Sequence, residues 1–175
     1  MDIHKQKISY PVTLPEAKSQ VKEETEDNDT NITRLIKVAT NDAENIVGMD
    51  LAYTKNTLTT ADFIGNYITI NQGNYKSLDY ITGDDTSIGY ERVIKYPHKF
   101  IIELSESISV DELVVVWHGG YTEDDEDTDN YEAVKQYILL KVDSLYGPER
   151  SEYTLGSINK LNHAINLLNG LRGHY

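Results

Sequence analysis

The sequence lacks the residues that build covalent and metal-bound sites. It has no cysteine and only two methionines, one tryptophan and four prolines among 175 residues. The absence of cysteine excludes disulfides, thiolate zinc sites and thiol nucleophiles. No apolar stretch is long enough to span a bilayer, and the first ten residues lack the apolar run of a signal peptide. We therefore expect one intracellular domain with no membrane segment, large enough to bury a core without disulfides.

Positive charge is also scarce. The chain has 16 Lys and Arg residues against 29 Asp and Glu residues, which gives a formal net charge of -13 at pH 7. Such a chain is repelled by DNA phosphates and by anionic membranes. Any role near nucleic acid is therefore expected to be non-adhesive, or to depend on basic groups from a partner.

Motifs for catalysis and cofactor binding are absent. There is no glycine-rich phosphate or dinucleotide loop and no serine nucleophile elbow, and Gly119-Gly120 is only a pair that fits a strand end. The five histidines do not fall at metal-ligand spacing, and His118 fits a strand-end residue better than a general base. The expectation is a protein that is not an enzyme and has no cofactor and no metal.

Two charged stretches invite specific interpretations. In the acidic loop Glu123–Asp129, alternate aspartates suggest calcium, but Asn130 and Gln136 occupy the positions where an EF-hand needs Gly and Glu. A solvated loop is the preferred interpretation, and a surface facing a channel or a partner is the alternative. The second stretch combines cations with aromatics as nucleic-acid sites do, but Pro97 and Glu91 weaken it. Its members are Tyr90, Arg92, Lys95, Tyr96, Lys99 and Phe100.

Tyrosine is the compositional excess, with 13 copies against two phenylalanines. A tyrosine side chain has a rigid apolar body and a polar tip, which suits protein interfaces. Codon bias in an AT-rich genome explains the same count equally well, so both interpretations stay open.

Helical signals dominate both ends of the chain. After an N-terminal extension at 1–12, Thr13 and Glu16 form a predicted capping box, and a helix is expected through about Lys22. A second helix is expected to end at Gly48. We therefore assign 13–48 to helices, 130–147 to a long helix and 157–172 to a terminal helix. The apolar stripe of the second helix contains Ile32, Leu35, Ile36, Ala39, Ala43, Ile46 and Val47.

The middle of the chain, 49–121, changes to a β-type pattern. Tyr67–Ile70 alternates, and Leu113–Trp117 is a β-branched apolar run closed by Gly119-Gly120. Turns are expected at Asn71–Asn74 and Gly83–Asp85. The predicted fold class is α+β and mainly α, a helical bundle with a small antiparallel β insertion between the second and third main helices.

The ordered set of segments resembles the head–tail connector (adaptor, head-completion) family of tailed bacteriophages. Each segment alone is unspecific, but the order along the chain is typical of that family. Residues 49–77 and 149–155 depart from it. The segments that carry the resemblance are Val12–Lys18, Ile32–Ala39, Val114–Tyr121, Glu132–Leu140 and Leu167–Arg172.

This resemblance implies a structural subunit with no catalytic role. It implies a homo-oligomeric ring below the portal, with twelve copies expected, which extends the DNA channel and docks the tail or a stopper protein. Genomic DNA would pass through the lumen without specific binding. The resemblance also implies location in the virion neck, after synthesis in the cytoplasm of a bacterial host.

Two sets of candidate interface residues follow. The terminal segment is expected to dock the portal, with the alternative that it only completes the core of the subunit: Leu167, Leu168, Leu171, Arg172 and Tyr175. Three aromatic residues are expected at subunit contacts or in the core: Trp117, Tyr121 and Tyr137. The alternative function is a non-viral cytoplasmic adaptor module that binds proteins. An enzyme whose site has no recognisable motif ranks last.

Overall fold

A computed structural model describes residues 2–122, 125, 129–146, 165–166 and 168–171. The chain divides into two compact units. The sheet unit contains Met1–Ser9 and Ala52–Gly120, and the helical unit contains Tyr10–Leu51 and Tyr121–Tyr175. Each unit has its own buried apolar cluster.

The helical unit is built from α1 (Leu14–Val21), α2 (Asp29–Val47) and α3 (Asp129–Tyr146). The predicted capping box of α1 is present, with Thr13 accepting from the Glu16 amide and Glu16 accepting from the Thr13 amide. The left-handed backbone of Gly48 ends α2 as predicted. The predicted stripe of α2 is buried, except that Ile46 is only partly buried.

Charged side chains join each pair of helices. Lys18 Nζ of α1 lies 2.6 Å from Asp29 Oδ1 of α2. Lys135 Nζ of α3 lies 2.6 Å from Glu16 Oε1 of α1, so the capping glutamate also forms an interhelix ion pair. Lys141 Nζ of α3 lies 3.0 Å from Asp42 Oδ2 of α2. These pairs set which helix faces meet, while the apolar cluster supplies most of the stability.

The sheet unit contains six antiparallel strands. They are β1 (Asp2–Ser9), β2 (Tyr53–Ile70), β3 (Tyr75–Gly83), β4 (Thr86–Ser87), β5 (Tyr90–Lys95) and β6 (Phe100–Gly119). The order is β1-β2-β6-β3-β4, and β5 pairs with the other end of β6. Strand β6 is therefore central, since it pairs with β2 along most of its length, with β3 near Gly119 and with β5 near Phe100.

The two long strands fold back on themselves. Phe100 and Trp117 are seventeen residues apart on β6, which would separate them by about 56 Å in a straight strand. Their ring centroids are only 5.5 Å apart. The pairing of β2 with β6 breaks between Gly65 and Tyr67, where the partner residue jumps from Ile108 to Glu103. We place the reversal at this break, which brings the two halves of the sheet together around one core.

The prediction of a mainly helical fold was wrong. Of the described residues, 36% are helical and 43% are in strands, and the sheet is not a small insertion. The reason is that the long strands have polar, exposed middles, such as Ser105–Ser107 in β6. These stretches lack the apolar alternation that identifies a strand in a sequence. Residues of the N-terminal extension also form β1, whose side chains are nearly all exposed.

Candidate assembly surfaces

Among the described residues, large apolar side chains are exposed mainly on the sheet unit. The most exposed of these is Ile64, at 77%. Tyr67 lies on β2, the strand that carries Ile64, and is 52% exposed. Tyr90 on β5 is 47% exposed, and Tyr96, directly after β5, is 46% exposed. Tyr80, Ile3 and Ile8 are exposed on other strands of this unit, whereas the helical unit exposes Val38 and Leu145. Four of the 13 tyrosines are therefore exposed on the sheet unit, and exposed rings of this kind are typical of surfaces that meet a partner.

A first charged surface follows β5 and the turn after it. We call it the β5 rim, and it consists of Tyr90, Arg92, Lys95, Tyr96 and Lys99, all of them exposed. Lys95 Nζ lies 4.8 Å from the ring centroid of Tyr75, and Lys99 Nζ lies 5.2 Å from that of Tyr96. Within the described residues, neither lysine forms an ion pair with a carboxylate. Strand β5 is also an edge strand, so the rim is open to a partner.

Arg92 is held in place by a carboxylate on β6. Its Nε lies 2.5 Å from Glu103 Oε2, and the Tyr67 hydroxyl donates to Glu103 Oε1 at 2.9 Å. These bonds, that of Arg92 first, lower the pKa of Glu103, and the same carboxylate raises the pKa of Tyr67. The result is a fixed polar arrangement beside the rim that spans β2, β6 and β5.

A second charged surface lies where the sheet reverses. We call it the acidic tip, and it consists of Asp62, Asp84, Asp85, Glu106, Asp111 and Glu112, all of them exposed. The Asp84 carboxylate accepts from the backbone amides of Asp111 and Glu112, which holds the turn after β3 against β6. No described lysine, arginine or histidine forms an ion pair with the six carboxylates. The tip is therefore strongly negative.

His118 lies near the end of β6, as predicted, and it is part of a polar cluster. Its Nδ1 is 3.0 Å from Asp79 Oδ1, and Lys55 Nζ is 3.4 Å from Asp79 Oδ2. The imidazole stacks on Tyr53 with ring centroids 5.1 Å apart. These contacts join β2, β3 and β6, so the surroundings of His118 are those of a residue that holds strands together.

The three predicted aromatic residues lie in different places. Trp117 is fully buried in the core of the sheet unit, and Tyr137 is fully buried in that of the helical unit. Tyr121 is partly buried, and its ring centroid lies 5.4 Å from that of Tyr131 on α3. Burial raises the pKa of Tyr121, with a smaller contribution from Asp125. The structure therefore does not bring these three side chains together in one surface.

The predicted docking segment is described in part. Leu168 is fully buried and Leu171 is 8% exposed, and both belong to the core of the helical unit. Asn169–Leu171 forms a 3-10 turn. Leu167, Arg172 and Tyr175 lie outside the described residues, as do 157–164 of the predicted terminal helix. In the acidic loop, only Asp125 and Asp129 are described, and Asp125 accepts from the Thr122 amide at 2.8 Å.

Two further observations apply to the described ranges alone. No helix in them is long and apolar enough to cross a membrane. No group of three or more histidine, aspartate or glutamate side chains in the same ranges is arranged to hold a metal ion.

Comparison with solved structures identifies the fold. A chain in the structure "Neck of empty GTA particle computed with C6 symmetry" matches with a TM-score of 0.70 at 12% identity, covering 100% of this chain and 97% of that one. The chain has the fold of a gene transfer agent neck protein. A chain in the structure "Virion of native gene transfer agent (GTA) particle" also matches, with a TM-score of 0.64 at 11% identity, covering 83% of this chain and 84% of that one. No family model and no curated protein sequence matches.

The neck fold confirms, at the level of structure, the resemblance to head–tail connector proteins that the sequence segments indicated. The sequence alone did not reveal the acidic tip, because its six carboxylates come from two strands, β2 and β6, and from the turn after β3, which only the fold brings together. All five residues of the β5 rim were visible in the sequence as a local cluster of cations and tyrosines. Its interpretation as a nucleic-acid signal was weak because it rested on composition alone.

Proposed function

We propose that this chain is a structural subunit of the neck of a virion-like particle, with no catalytic role. The observation that carries the proposal is the match over the whole chain to a protein in a particle neck. The exposed tyrosines and Ile64 support it, because a subunit needs surface that its neighbours cover. Net charge -13 supports it as well, because a subunit next to a genome in transit must not grip phosphates.

The finer form of the proposal is a ring at the portal vertex. The copies would extend the DNA channel and receive the tail or a stopper protein, and DNA would pass without specific binding. Twelve copies remain the expected number. The matching neck structure was computed with C6 symmetry, and a six-fold average accommodates either six or twelve copies of a subunit.

Imaging of intact particles tests the proposal. We expect this chain to form a collar at the neck, and the mass of the isolated collar gives the number of copies. A chain absent from particles, present in the cytoplasm as a monomer or a dimer, would contradict the proposal and favour a cytoplasmic adaptor.

Portal docking by the terminal segment remains a proposal, and the structure sharpens its test. Leu168 and Leu171 must be kept because they belong to the core of the helical unit. Deleting residues 172–175 removes Arg172 and Tyr175 while it leaves these two leucines in place. We expect weaker portal binding with an unchanged melting temperature. Unchanged portal binding by the folded, shortened chain would exclude docking at these residues.

A further inference from the structure

The sheet unit carries two charged surfaces of opposite sign. The β5 rim has three exposed cations, Arg92, Lys95 and Lys99, with the exposed carboxylate of Glu91 among them, while the acidic tip has six exposed carboxylates. The lysines of the rim and the carboxylates of Asp111 and Glu112 are separate, since Phe100, which follows Lys99 directly, packs on Trp117, and Glu112 lies five residues, or about 17 Å, from Trp117 along a regularly paired stretch of β6. Each copy of the chain therefore presents a basic, tyrosine-rich surface and, elsewhere on the same sheet, an acidic one.

Most of these charges are not neutralised within the described part of the chain. Arg92 is paired with Glu103, but Lys95 and Lys99 contact only aromatic rings. In the tip, Asp84 accepts from two backbone amides, and none of the other five carboxylates forms an ion pair with a described lysine, arginine or histidine. A partner that brought opposite charge to either surface would gain attraction without breaking an internal ion pair.

We infer that the β5 rim of one copy docks on the acidic tip of the next copy, so that sheet units join head to tail. This inference rests on the proposed function, in which copies form a ring. A ring needs two different complementary surfaces on every subunit, and the rim and the tip meet that requirement. Two chains of net charge -13 repel each other, so their contact must place opposite charges together.

The tyrosines complete the contact. Tyr90 and Tyr96 offer large rigid rings beside the cations, and Ile64, which is 77% exposed, lies on β2 two residues after Asp62 of the tip. An interface of this kind has an apolar centre and a charged rim, which fixes the register between copies. As the partner of the rim, a second copy of the chain is favoured over DNA. The chain as a whole is strongly acidic, which repels DNA, and each copy already carries the acidic tip that complements the rim.

Charge reversal at the tip is the most specific test. Asp111→Lys with Glu112→Lys changes the net charge from -13 to -9, since two acidic residues become two basic ones. General repulsion between copies falls, so a nonspecific effect would strengthen assembly. We expect the opposite, association at least roughly tenfold weaker at low salt, because the tip would now repel Lys95 and Lys99.

Charge reversal at the rim is the companion test. Lys95→Glu with Lys99→Glu is expected to weaken association to a similar degree. Arg34→Glu with Lys37→Glu, at exposed positions of α2, makes the same charge change and serves as the matched control. A chain carrying both the rim and the tip reversals is expected to recover most of the association. Melting temperatures establish that every variant is folded.

Association is measured by sedimentation of the full chain and by counting copies in isolated particle necks. If the wild-type chain forms no ring in either setting, the proposed function fails, and this inference fails with it. If the ring forms but the tip variant joins it normally, or the control is as weak as the rim variant, only the inference fails. A rim variant that loses binding to duplex DNA yet forms normal rings would also overturn it and assign the rim to DNA.

Discussion

The buried hydroxyl of Tyr137 shows how single residues hold the helical unit together. It donates to Asp42 Oδ2 at 2.5 Å, and Lys141 Nζ lies 3.0 Å from the same oxygen. Burial alone would raise the pKa of Asp42, but the hydrogen bonds from Tyr137 and Lys141 outweigh it and hold this pKa below its usual value. Burial and the bond to Asp42 raise the pKa of Tyr137.

Replacing Tyr137 with Phe tests this arrangement. We expect the free energy of unfolding to fall by about 1–2 kcal/mol at pH 7, because a hydrogen bond to a charged group is lost. The pKa of Asp42 is lower in the folded state than in the unfolded one, so its contribution is complete above about pH 4 and is lost as the pH falls further. The difference between wild type and variant should therefore shrink in acid. Urea unfolding from pH 7 to pH 3 measures it.

The matched control is Tyr131→Phe, because Tyr131 donates to the uncharged carbonyl of Pro11 at 3.2 Å. Its effect on stability should not change over this pH range. An acid-dependent loss in the control, or a pH-independent loss in the Tyr137 variant, would contradict the role given to Asp42.

Gly120 is required by its backbone and by its close neighbours. Its φ is +94°, and a Cβ there would lie 1.9 Å from the carbonyl oxygen of Ala52. We expect Gly120→Ala to lower the free energy of unfolding, measured in urea, by more than about 2 kcal/mol, because the backbone at Ala52 would have to move away from the new Cβ. Gly170→Ala is the control, since a Cβ at Gly170 has no atom within 4 Å. Equal effects at the two glycines would refute this explanation.

At the scale of elements, the reversal of β6 decides the shape of the sheet unit. The two ends of the strand meet where Phe100 packs between Tyr75 and Trp117, with ring centroids 4.6 Å and 5.5 Å away. A straight β6 would leave all three rings exposed to water. The aromatic cluster therefore holds the fold-back together.

Phe100→Ala should remove much of that contact. We expect a loss of about 3–5 kcal/mol in the free energy of unfolding, because a large buried ring is replaced by a cavity. Fluorescence of Trp117, the only tryptophan in the chain, reports the change directly. Ile64→Ala, on the partner strand but 77% exposed, should change stability by less than about 0.5 kcal/mol. A mild effect at Phe100 would show that other contacts hold the reversal.

At the scale of the whole molecule, the two apolar clusters are separate. The core of the helical unit includes Val134, and the core of the sheet unit includes Phe100. Units with separate cores often open independently of each other. The two units should therefore respond differently to a cavity in one of them.

Hydrogen exchange of native protein tests this independence. Phe100→Ala should speed exchange in the sheet unit by tenfold or more while amides of α2 and α3 stay near wild type. Val134→Ala, at a fully buried position of α3, should produce the reverse pattern. Uniform acceleration across both units in either variant would mean that the chain opens as one cooperative structure.

The sequence by itself determined the features that depend on neighbouring residues. The capping box at Thr13 and Glu16, the stripe of α2, its end at Gly48 and the strand Leu113–Trp117 all follow from local spacing and backbone preference. The order of such segments was also enough to indicate the resemblance to head–tail connector proteins, although the fold class inferred with it was wrong. Local rules suffice there because each feature is marked by the spacing and backbone preferences of residues close together in the sequence.

Only the tertiary structure decided the size of the sheet, the reversal of β6 and the location of the charged surfaces. Strand residues such as those of β1 and the middle of β6 are polar, and partner strands distant in sequence supply the hydrogen bonds that hold them extended. The acidic tip likewise joins Asp62, Asp84 and Asp111 across long sequence separations. Such contacts leave no periodic pattern in the sequence, because pairing of backbone groups does not depend on which side chains they carry.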